Sequence, residues 1–496
     1  MTEESALSYG EALARAAAMT PDRTAILLVG KDGGETALSY AELDRWIDQV
    51  ARTMQDRGVR QGQRAAIALP TNLAFFIAVF ATWRLGGCVV PIKHDQPDWD
   101  FNRMMNLIEP VLFVGDRSAG HTSSLTSEEI KAARAENGPA VENHVPQPVW
   151  AICSGGSTGK PKLIVNLKPG TTAEQFANLV HGDHAIQLIT SPPYHTQALS
   201  LMVMGLVRGD MLIVMQQFDA ERAVSLIERF GVNIMGLVPA MSHRIQRLLG
   251  IETRNLSSLK MVIAGGGATS PAVAQRWIDL VGADHLLIGY GASENIGGTS
   301  ITGDELIRKP GSVGNGVSSG TEIHILGRDG EILAPGEVGD IYLRRTSDGG
   351  PLFQYVGAEP PPVTADGFST VGDIGWLDED GYLYIADRRS DMIKTGGVNV
   401  FPAEVEAALL EHPEVSDVAV IGLPDEEWGR RVHAIVVPVD HTTPPVPATL
   451  REYCKSRLAA AKAPQTFEFV DALPRTDVMK LNRSALVAER ESLMSQ

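Results

Sequence analysis

The most informative segment of the chain is Ser154-Gly155-Gly156-Ser157-Thr158-Gly159-Lys160-Pro161-Lys162. It follows an apolar run over residues 149–152, which we predict to be a buried strand. Glycines directly after a strand let successive backbone N–H groups point at one anion, and the neighbouring hydroxyl and lysine side chains add contacts to phosphate. It is not a Walker A loop, because the glycine spacing differs and Pro161 stands where that loop has a magnesium-binding Ser or Thr. The segment predicts a polyphosphate-binding loop of another kind; its alternative interpretation is a surface turn.

Around this loop, helical patterns alternate with short β-rich runs up to about residue 310. Apolar residues repeat at helical spacing over 40–54 and 73–85, and apolar runs of strand length follow, so we predict largely parallel sheets covered by helices. Beyond residue 310, glycine, proline and aspartate become frequent, which indicates a β-rich lobe with a loop over 346–367. The predicted fold class is α/β, with a large N-terminal domain over 1–388, which includes this lobe, and a small α+β C-terminal domain over 389–496.

The bulk composition argues against several classes of function. The 496 residues carry a formal net charge of −17, so we expect no binding to nucleic acid or to an anionic membrane surface. Cys88, Cys153 and Cys454 have no paired spacing, so each is predicted to be a small buried residue and not a disulfide or zinc ligand. The sequence shows neither a signal peptide nor an apolar run that could span a bilayer, so we expect a cytoplasmic protein. No pattern indicates an oligomeric state.

Five further motifs follow the loop in order. They are Tyr290-Gly291-Ala292-Ser293-Glu294, Val371-Gly372-Asp373, Asp387-Arg388-Arg389-Ser390-Asp391, residues 393–406 and residues 474–483. Together with the loop they resemble the signatures of the adenylate-forming superfamily, which contains acyl-CoA synthetases, adenylation domains and luciferases. The resemblance covers essentially the whole chain, and it is strongest to fatty-acid and bile-acid CoA ligases and to the related amide bond synthetases.

The resemblance implies an enzyme that activates a carboxylate with ATP. Because attack of a carboxylate on the α-phosphate brings two anions together, catalysis is mostly charge neutralisation and positioning. Lys480 is implied as the mobile cation, although Met479 replaces the usual glycine beside it. Glu294 is implied as a magnesium ligand, together with the hydroxyl of Thr158. His195 stands where acyl-CoA synthetases carry His and amino-acid-activating domains carry Asp, which favours an acid without a neighbouring amine.

The resemblance also implies a nucleotide site and an acid pocket. Asp373 is expected to accept hydrogen bonds from the ribose hydroxyls, Tyr290 to stack on adenine, and Arg388 to contact ribose and phosphate. Ser390 is expected to be the hinge of the C-terminal domain. The other predicted nucleotide contacts are Ser154, Gly155, Ser157, Thr158, Gly159, Lys162, Gly266, Gly267, Gly291, Ser293 and Lys394. The predicted pocket residues are Tyr194, Leu237, Val238, Pro239 and Gly265. Their apolar or small character favours a bulky, cyclic or aryl acid, and the alternative is that they belong to the core.

We therefore expect ATP and Mg²⁺ as cofactors, with a small-molecule carboxylic acid and CoA as substrates of an acid–CoA ligase. The first alternative is an amide bond synthetase, which passes the acyl adenylate directly to an amine, because no short motif distinguishes the two acceptors. The second alternative is a non-catalytic nucleotide-binding relative. Against it stands the presence of Lys480, Glu294, Asp373 and Arg388.

Overall fold

The structure is a computed structural model, which describes residues 6–154, 161–172, 184–346, 352–475 and 481–494. Within these residues the strands form four sheets. Two large sheets are built mainly from residues before about 310, a four-stranded sheet forms the β-rich lobe, and a further sheet forms the C-terminal part. The α/β architecture predicted from the sequence is confirmed.

The eight-stranded sheet is parallel at its centre and antiparallel at both edges. Parallel neighbours need long crossover connections, and most of those in this sheet contain helices, as the alternating pattern of the sequence predicts. Across the sheet, the strands lie in the order Gly298–Thr302, Leu286–Gly291, Met261–Ala264, Ile234–Leu237, Ile186–Ile189, Met211–Met215, Thr24–Val29 and Glu35–Ser39.

The seven-stranded sheet contains the strands on either side of the predicted phosphate loop. The strand before the loop pairs antiparallel with the strand after it, and Ser154 lies opposite Lys162. Pairing towards the other edge is parallel. The order of strands is Phe353–Val356, Lys162–Asn166, Trp150–Ser154, Cys88–Pro91, Arg64–Ala68, Leu112–Gly115 and Ser124–Leu125.

One edge strand of this sheet lies in a segment that the sequence predicted to be a loop. The loop predicted over 346–367 contains the strand Phe353–Val356, which pairs antiparallel with Lys162–Asn166. The prediction was wrong because a strand of four residues between glycine- and proline-rich segments has little local pattern. Its conformation is fixed by hydrogen bonds to a distant part of the chain.

The β-rich lobe and the C-terminal part are largely antiparallel. In the lobe, Gly381 adopts a φ of 77° in a turn, and the strand after this turn begins at Leu383. The lobe strands are Thr321–Leu326, Gly339–Arg345, Asp373–Leu377 and Leu383–Arg388, in that order. The C-terminal strands lie in the order Val398–Val400, Ile393–Thr395, Gly429–Pro438 and Val415–Asp425, and Thr466–Phe469 pairs with Gly429–Pro438.

Helices pack between and outside the two large sheets. The helix Leu73–Arg84 is apolar on all sides and almost completely buried in the core shared by the two sheets. The helix Tyr40–Asp56 buries one face only and begins with a capping box formed by Ser39 and Glu42. The other α-helices are Tyr9–Met19, Asp98–Ile108, Ser127–Ala133, Thr196–Arg208, Ala220–Phe230, Pro239–Gln246, Pro271–Val281, Gly303–Arg308, Pro402–Leu410, Pro447–Lys455 and Arg483–Met494. Short 3₁₀ helices cover Ile251–Thr253, Ala283–His285, Val317–Ser319 and Ala460–Lys462.

One arginine joins the large N-terminal part to the C-terminal part. Arg247, which directly follows the helix Pro239–Gln246, donates hydrogen bonds to the carbonyl oxygens of Leu410, Val415 and Ser416 at 3.1, 2.7 and 3.0 Å. Leu410 is the last residue of a helix, where carbonyl groups have no partner within the helix itself. The guanidinium therefore satisfies the Leu410 carbonyl at this helix end and also binds two carbonyl groups at the start of the strand Val415–Asp425.

The cysteines occur as free thiols, and Cys88 and Cys454 are buried as predicted, whereas Cys153 is only partly buried. Across the part of the chain that the structure describes, we find no helix with both the length and the apolar character needed to cross a membrane.

Candidate active site

A cleft of about 1870 Å³ opens where the parallel strands of the two large sheets end. Its wall includes residues at the carboxyl ends of the strands Trp150–Ser154, Met261–Ala264 and Leu286–Gly291. Open α/β sheets bind ligands at this edge. The C-terminal part also contributes, through Ser390 and through Leu481 and the residues after it.

Most of the predicted site residues that the structure describes line this cleft. They are Lys162, His195, Val238, Gly265, Gly266, Tyr290, Gly291, Ser293, Glu294, Asp373, Arg388 and Ser390. The sequence motifs, which are far apart along the chain, are thus brought to one place by the fold. Gly155, Ser157, Thr158, Gly159 and Lys480 lie outside the described residues, and only the backbone of Ser154 is described.

Five predicted residues do not line the cleft. Leu237 is fully buried in the core against the eight-stranded sheet. For this residue the alternative prediction, a core position instead of a pocket position, is confirmed. Lys394 lies on the strand Ile393–Thr395 with its side chain exposed. The remaining three are Tyr194, Pro239 and Gly267, of which Gly267 is exposed and the other two are partly buried. The ring of Tyr194 packs 4.7 Å from that of His195, and a Cβ added to Gly267 would lie 3.3 Å from Pro239.

At one end of the cleft, Glu294 forms a compact cluster with two side chains of the other large sheet. The Lys162 Nζ lies 3.2 Å from Glu294 Oε1, and the Tyr355 hydroxyl donates a hydrogen bond of 2.5 Å to the same oxygen. The Lys162 ammonium also lies 3.7 Å from the centre of the Tyr355 ring, which is a cation–π contact. Glu294 is only 5% exposed. A buried carboxylate is thus paired and hydrogen-bonded, as burial of a charge requires.

A second cluster lies around Asp373. Its Oδ2 accepts a hydrogen bond of 2.8 Å from the Tyr290 hydroxyl, and its Oδ1 lies 3.4 Å from the Arg388 Nε. Burial, and next the negative charge of Asp373, raises the pKa of Tyr290, so its hydroxyl is a neutral donor at physiological pH. Burial and the hydrogen bond to Glu294 raise the pKa of Tyr355 in the same way. Both phenols therefore stay protonated and orient a carboxylate.

The helix that begins directly after His195 contacts Ser293 through its first residue. His195 directly precedes the helix Thr196–Arg208, and its side chain does not cap that helix. The Thr196 hydroxyl lies 2.9 Å from the Ser293 hydroxyl. This contact connects the Tyr290–Glu294 motif to the helix that begins directly after His195, and so it helps to position both motifs in the cleft.

The two neighbours of Ser390 form ion pairs with different parts of the molecule, one with the β-rich lobe and the other with the C-terminal part. On one side, Arg389 Nε lies 2.6 Å from Asp340 Oδ1 of the β-rich lobe. On the other side, Asp391 lies 3.3 Å from Arg483, which also pairs with Glu406 at 2.6 Å. Burial raises the pKa of Glu406, although the Arg483 charge opposes this. The hinge role of Ser390 and the domain boundary at 388/389 stay predictions.

The motifs did not point to Tyr355 or Thr196. The signal for Tyr355 was present in the sequence: in Phe353-Gln354-Tyr355-Val356 the two aromatic residues alternate with other residues, as on one face of a strand. Thr196 follows His195 directly, and only the three-dimensional contact with Ser293 distinguishes it.

The cleft offers a magnesium ion a limited set of protein ligands. Within the described ranges, no group of three or more His, Cys, Asp or Glu side chains could hold a metal ion. Magnesium in nucleotide sites, however, is usually bound by one or two carboxylates together with phosphates and water. Glu294 supplies a hard carboxylate donor of this kind, so the residues present fit a magnesium ion that is shared with a nucleotide.

The chain matches two family models and many known proteins. The AMP-binding enzyme model matches residues 13–347, and the AMP-binding enzyme C-terminal domain model matches residues 404–480. The long-chain-fatty-acid–CoA ligase FadD13 of Mycobacterium tuberculosis is 30% identical over 482 residues, which cover 91% of this chain and 93% of that protein. The feruloyl-CoA synthase of Amycolatopsis sp. is 32% identical over 485 residues, which cover 94% and 96% of the two chains.

A similar solved structure is that of the o-succinylbenzoate CoA synthetase of Bacillus subtilis in complex with an acyl-adenylate intermediate. It superposes with a TM-score of 0.80 at 27% identity, over 97% of this chain and 98% of the other. The family resemblance of the motifs is thereby confirmed over the full length of the fold. The chain therefore belongs to the AMP-binding enzyme family.

Proposed function

We propose that this AMP-binding enzyme is an ATP-dependent acid–CoA ligase. It activates a carboxylic acid as an acyl adenylate with release of pyrophosphate, and it then transfers the acyl group to CoA. The observation that carries the proposal is that one cleft holds both the Lys162–Glu294 pair and the Tyr290–Asp373–Arg388 cluster. These are the groups expected for the phosphate end and the ribose end of ATP.

The proposed roles follow from the charges at each end. Lys162 and the predicted cation Lys480 would neutralise the phosphates and the attacking carboxylate. Glu294 would hold magnesium, which supplies further positive charge at the phosphates when it is bound. A carboxylate has about four lone-pair positions, so Asp373 can accept the ribose hydroxyls in addition to its two present contacts.

The acid would bind beside His195 and Val238. Ile152, Cys153 and Ile164 line the same cleft and make part of its surface apolar. Two relatives are named for acids with an aromatic ring, the feruloyl-CoA synthase and the 2-succinylbenzoate–CoA ligase of Bacillus licheniformis. These observations support a bulky, cyclic or aryl acid as the substrate.

Gly265 keeps one part of this region open. A Cβ added at this position would lie 3.3 Å from the carbonyl oxygen of Gly289 and 3.4 Å from the Gln197 Nε2. Any larger side chain would therefore reduce the space between these two groups, so a glycine here is consistent with a close approach of the substrate to the backbone.

ATP–pyrophosphate exchange with a panel of fatty, cyclic and aryl acids tests the first half-reaction. We expect exchange that depends on the acid and on magnesium, with the highest kcat/KM for a cyclic or aryl acid. Absence of exchange with every acid, from a protein that still binds ATP, would instead support a non-catalytic nucleotide-binding protein.

The acceptor is tested with the acid that gives the fastest exchange. Enzyme, ATP, magnesium and this acid are incubated with CoA in one reaction and with a mixture of amines in another, and the products are identified by mass spectrometry. We expect a thioester that forms at a rate comparable to adenylation and saturates with CoA. Slow amide formation at high amine concentration is uninformative, because a released adenylate reacts with any strong nucleophile. An amine that saturates while CoA gives no product would make the protein an amide bond synthetase.

Asp373→Ala is expected to weaken the binding of ATP and AMP together. The loss of a charge-assisted pair of hydrogen bonds to ribose is worth about 1–3 kcal/mol, which is roughly 5- to 150-fold in Kd. Calorimetric titration with each nucleotide measures the effect, and Asp329→Ala, at an exposed position, is the matched control. Equal affinities in the variant and the parent would leave Asp373 as an ordinary first residue of the strand Asp373–Leu377.

A further inference from the structure

Tyr355 lies outside the sequence motifs described above, yet it contacts two residues of the phosphate end of the cleft. We propose that Tyr355 is a positioning residue, whose hydroxyl and ring fix Glu294 and Lys162 relative to each other for magnesium-dependent adenylation. The inference rests on the proposed function, because it assigns Tyr355 to the same reaction.

The three side chains form a closed triangle of contacts. Tyr355 donates to Glu294 Oε1, Lys162 pairs with the same oxygen, and the Lys162 ammonium lies over the Tyr355 ring. Among the described residues, the hydrogen bonds and the ion pair of the Glu294 carboxylate all involve Oε1, and none involves Oε2. The carboxylate is thus anchored through one oxygen, while the other is available as an acceptor or a metal ligand.

The sheet register explains how Tyr355 reaches this place. Tyr355 pairs with Ile164 across two antiparallel strands. Because side chains alternate along a strand, Lys162, Ile164 and Tyr355 share one face of the sheet, and Lys162 is the diagonal neighbour of Tyr355. Glu294 follows the strand Leu286–Gly291 of the other large sheet. The hydrogen bond from Tyr355 therefore joins the two large sheets across the cleft.

The two contacts of Tyr355 give both charged groups an alternative to their mutual ion pair. A buried lysine and a buried carboxylate alone attract each other strongly, and this attraction would compete with the binding of phosphate and of a metal. The Tyr355 hydroxyl satisfies one carboxylate oxygen without adding charge, and the ring face stabilises the ammonium when it turns away from Glu294. Tyr355 thus keeps Glu294 oriented while Lys162 is released towards phosphate.

Tyr355→Phe tests this inference, because it removes the hydroxyl and keeps the ring under Lys162. We expect kcat for adenylation, measured by pyrophosphate exchange, to fall about tenfold, as for loss of one hydrogen bond to a charged group. By calorimetry, the magnesium-dependent part of the affinity for a non-hydrolysable ATP analogue should fall about tenfold as well. The affinity for AMP without metal should be unchanged. Tyr342→Phe, a tyrosine on the lobe strand Gly339–Arg345, is the matched control.

A double-mutant cycle separates positioning from support of the fold. In the Glu294→Gln background, Tyr355→Phe should have little further effect on the magnesium-dependent affinity, because the group it orients no longer carries a charge. Unchanged magnesium dependence in Tyr355→Phe, fully additive effects in the cycle, or an equal loss of AMP affinity together with a lower Tm would each overturn the inference. If the parent enzyme shows no exchange with any acid, the proposed function fails instead, and this outcome is recognised before any variant is compared.

Discussion

Lys480→Ala is expected to slow acyl-adenylate formation by a factor on the order of 10² or more. The reaction brings a carboxylate against the α-phosphate, and a positioned cation stabilises the charge that develops between them. Lys480 lies in the segment 476–480, and Leu481 and Asn482, which follow it directly, line the cleft beside Arg483. Pyrophosphate exchange in single-turnover conditions measures the effect, and nucleotide affinity should change little.

The matched control for this variant is Lys455→Ala, at the end of the helix Pro447–Lys455, where the lysine pairs with Glu452 of the same helix. Preformed acyl adenylate should restore much of the second half-reaction in Lys480→Ala, because the C-terminal domain is expected to have moved this lysine away by then. An adenylation rate equal to that of the parent enzyme would show that another group is the catalytic cation.

Ser390→Pro is expected to separate the two half-reactions, so that one survives and the other is largely lost. Arg389 is held by Asp340 of the lobe, and Asp391 is held by Arg483 of the C-terminal part, so a change in arrangement must be absorbed between them. Proline fixes φ near −65° and favours extended conformations at the residue before it. The chain at this point would therefore be restricted to one of the two domain arrangements.

Adenylation and acyl transfer from preformed adenylate are measured separately for this variant. Ser390→Ala is the control, because it removes the hydroxyl that donates to Asp391 and leaves the backbone free to rotate. The hinge assignment is wrong if a folded Ser390→Pro protein keeps both half-reactions, or if it loses both to the same extent.

The layered α/β architecture could be predicted because its signals are local. The helix Tyr40–Asp56 has both a capping box and a repeating apolar face, and each limits the possible boundaries. The strand Phe353–Val356 has neither, because it is short and depends on a partner far away in sequence. The alternation of Phe353 and Tyr355 is typical of a strand, but it contains no information on the partner strand. The contact of Tyr355 with Glu294 was therefore beyond what the local pattern can indicate.

The candidate site was predictable to the extent that its residues lie in motifs. Asp373 and Glu294 could be chosen from short segments, and the fold brings both to one cleft. Leu237 shows the limit of this method, since an apolar residue at the end of a parallel strand looks the same whether it faces a pocket or the core. Lys394 shows another limit: its exposure depends on how the C-terminal part is placed, and a motif contains no information on that placement.

Arg247 provides a physical connection between the cleft wall and the C-terminal part. The helix Pro239–Gln246 starts next to Val238 on the cleft wall, and Arg247 at its other end holds carbonyl groups of the C-terminal part. An acid that displaced this helix would change the length of those hydrogen bonds, and so it would change the relative free energies of the predicted domain arrangements. Linkage is reciprocal, so the arrangement of the C-terminal part would then alter the affinity for such an acid by the same factor.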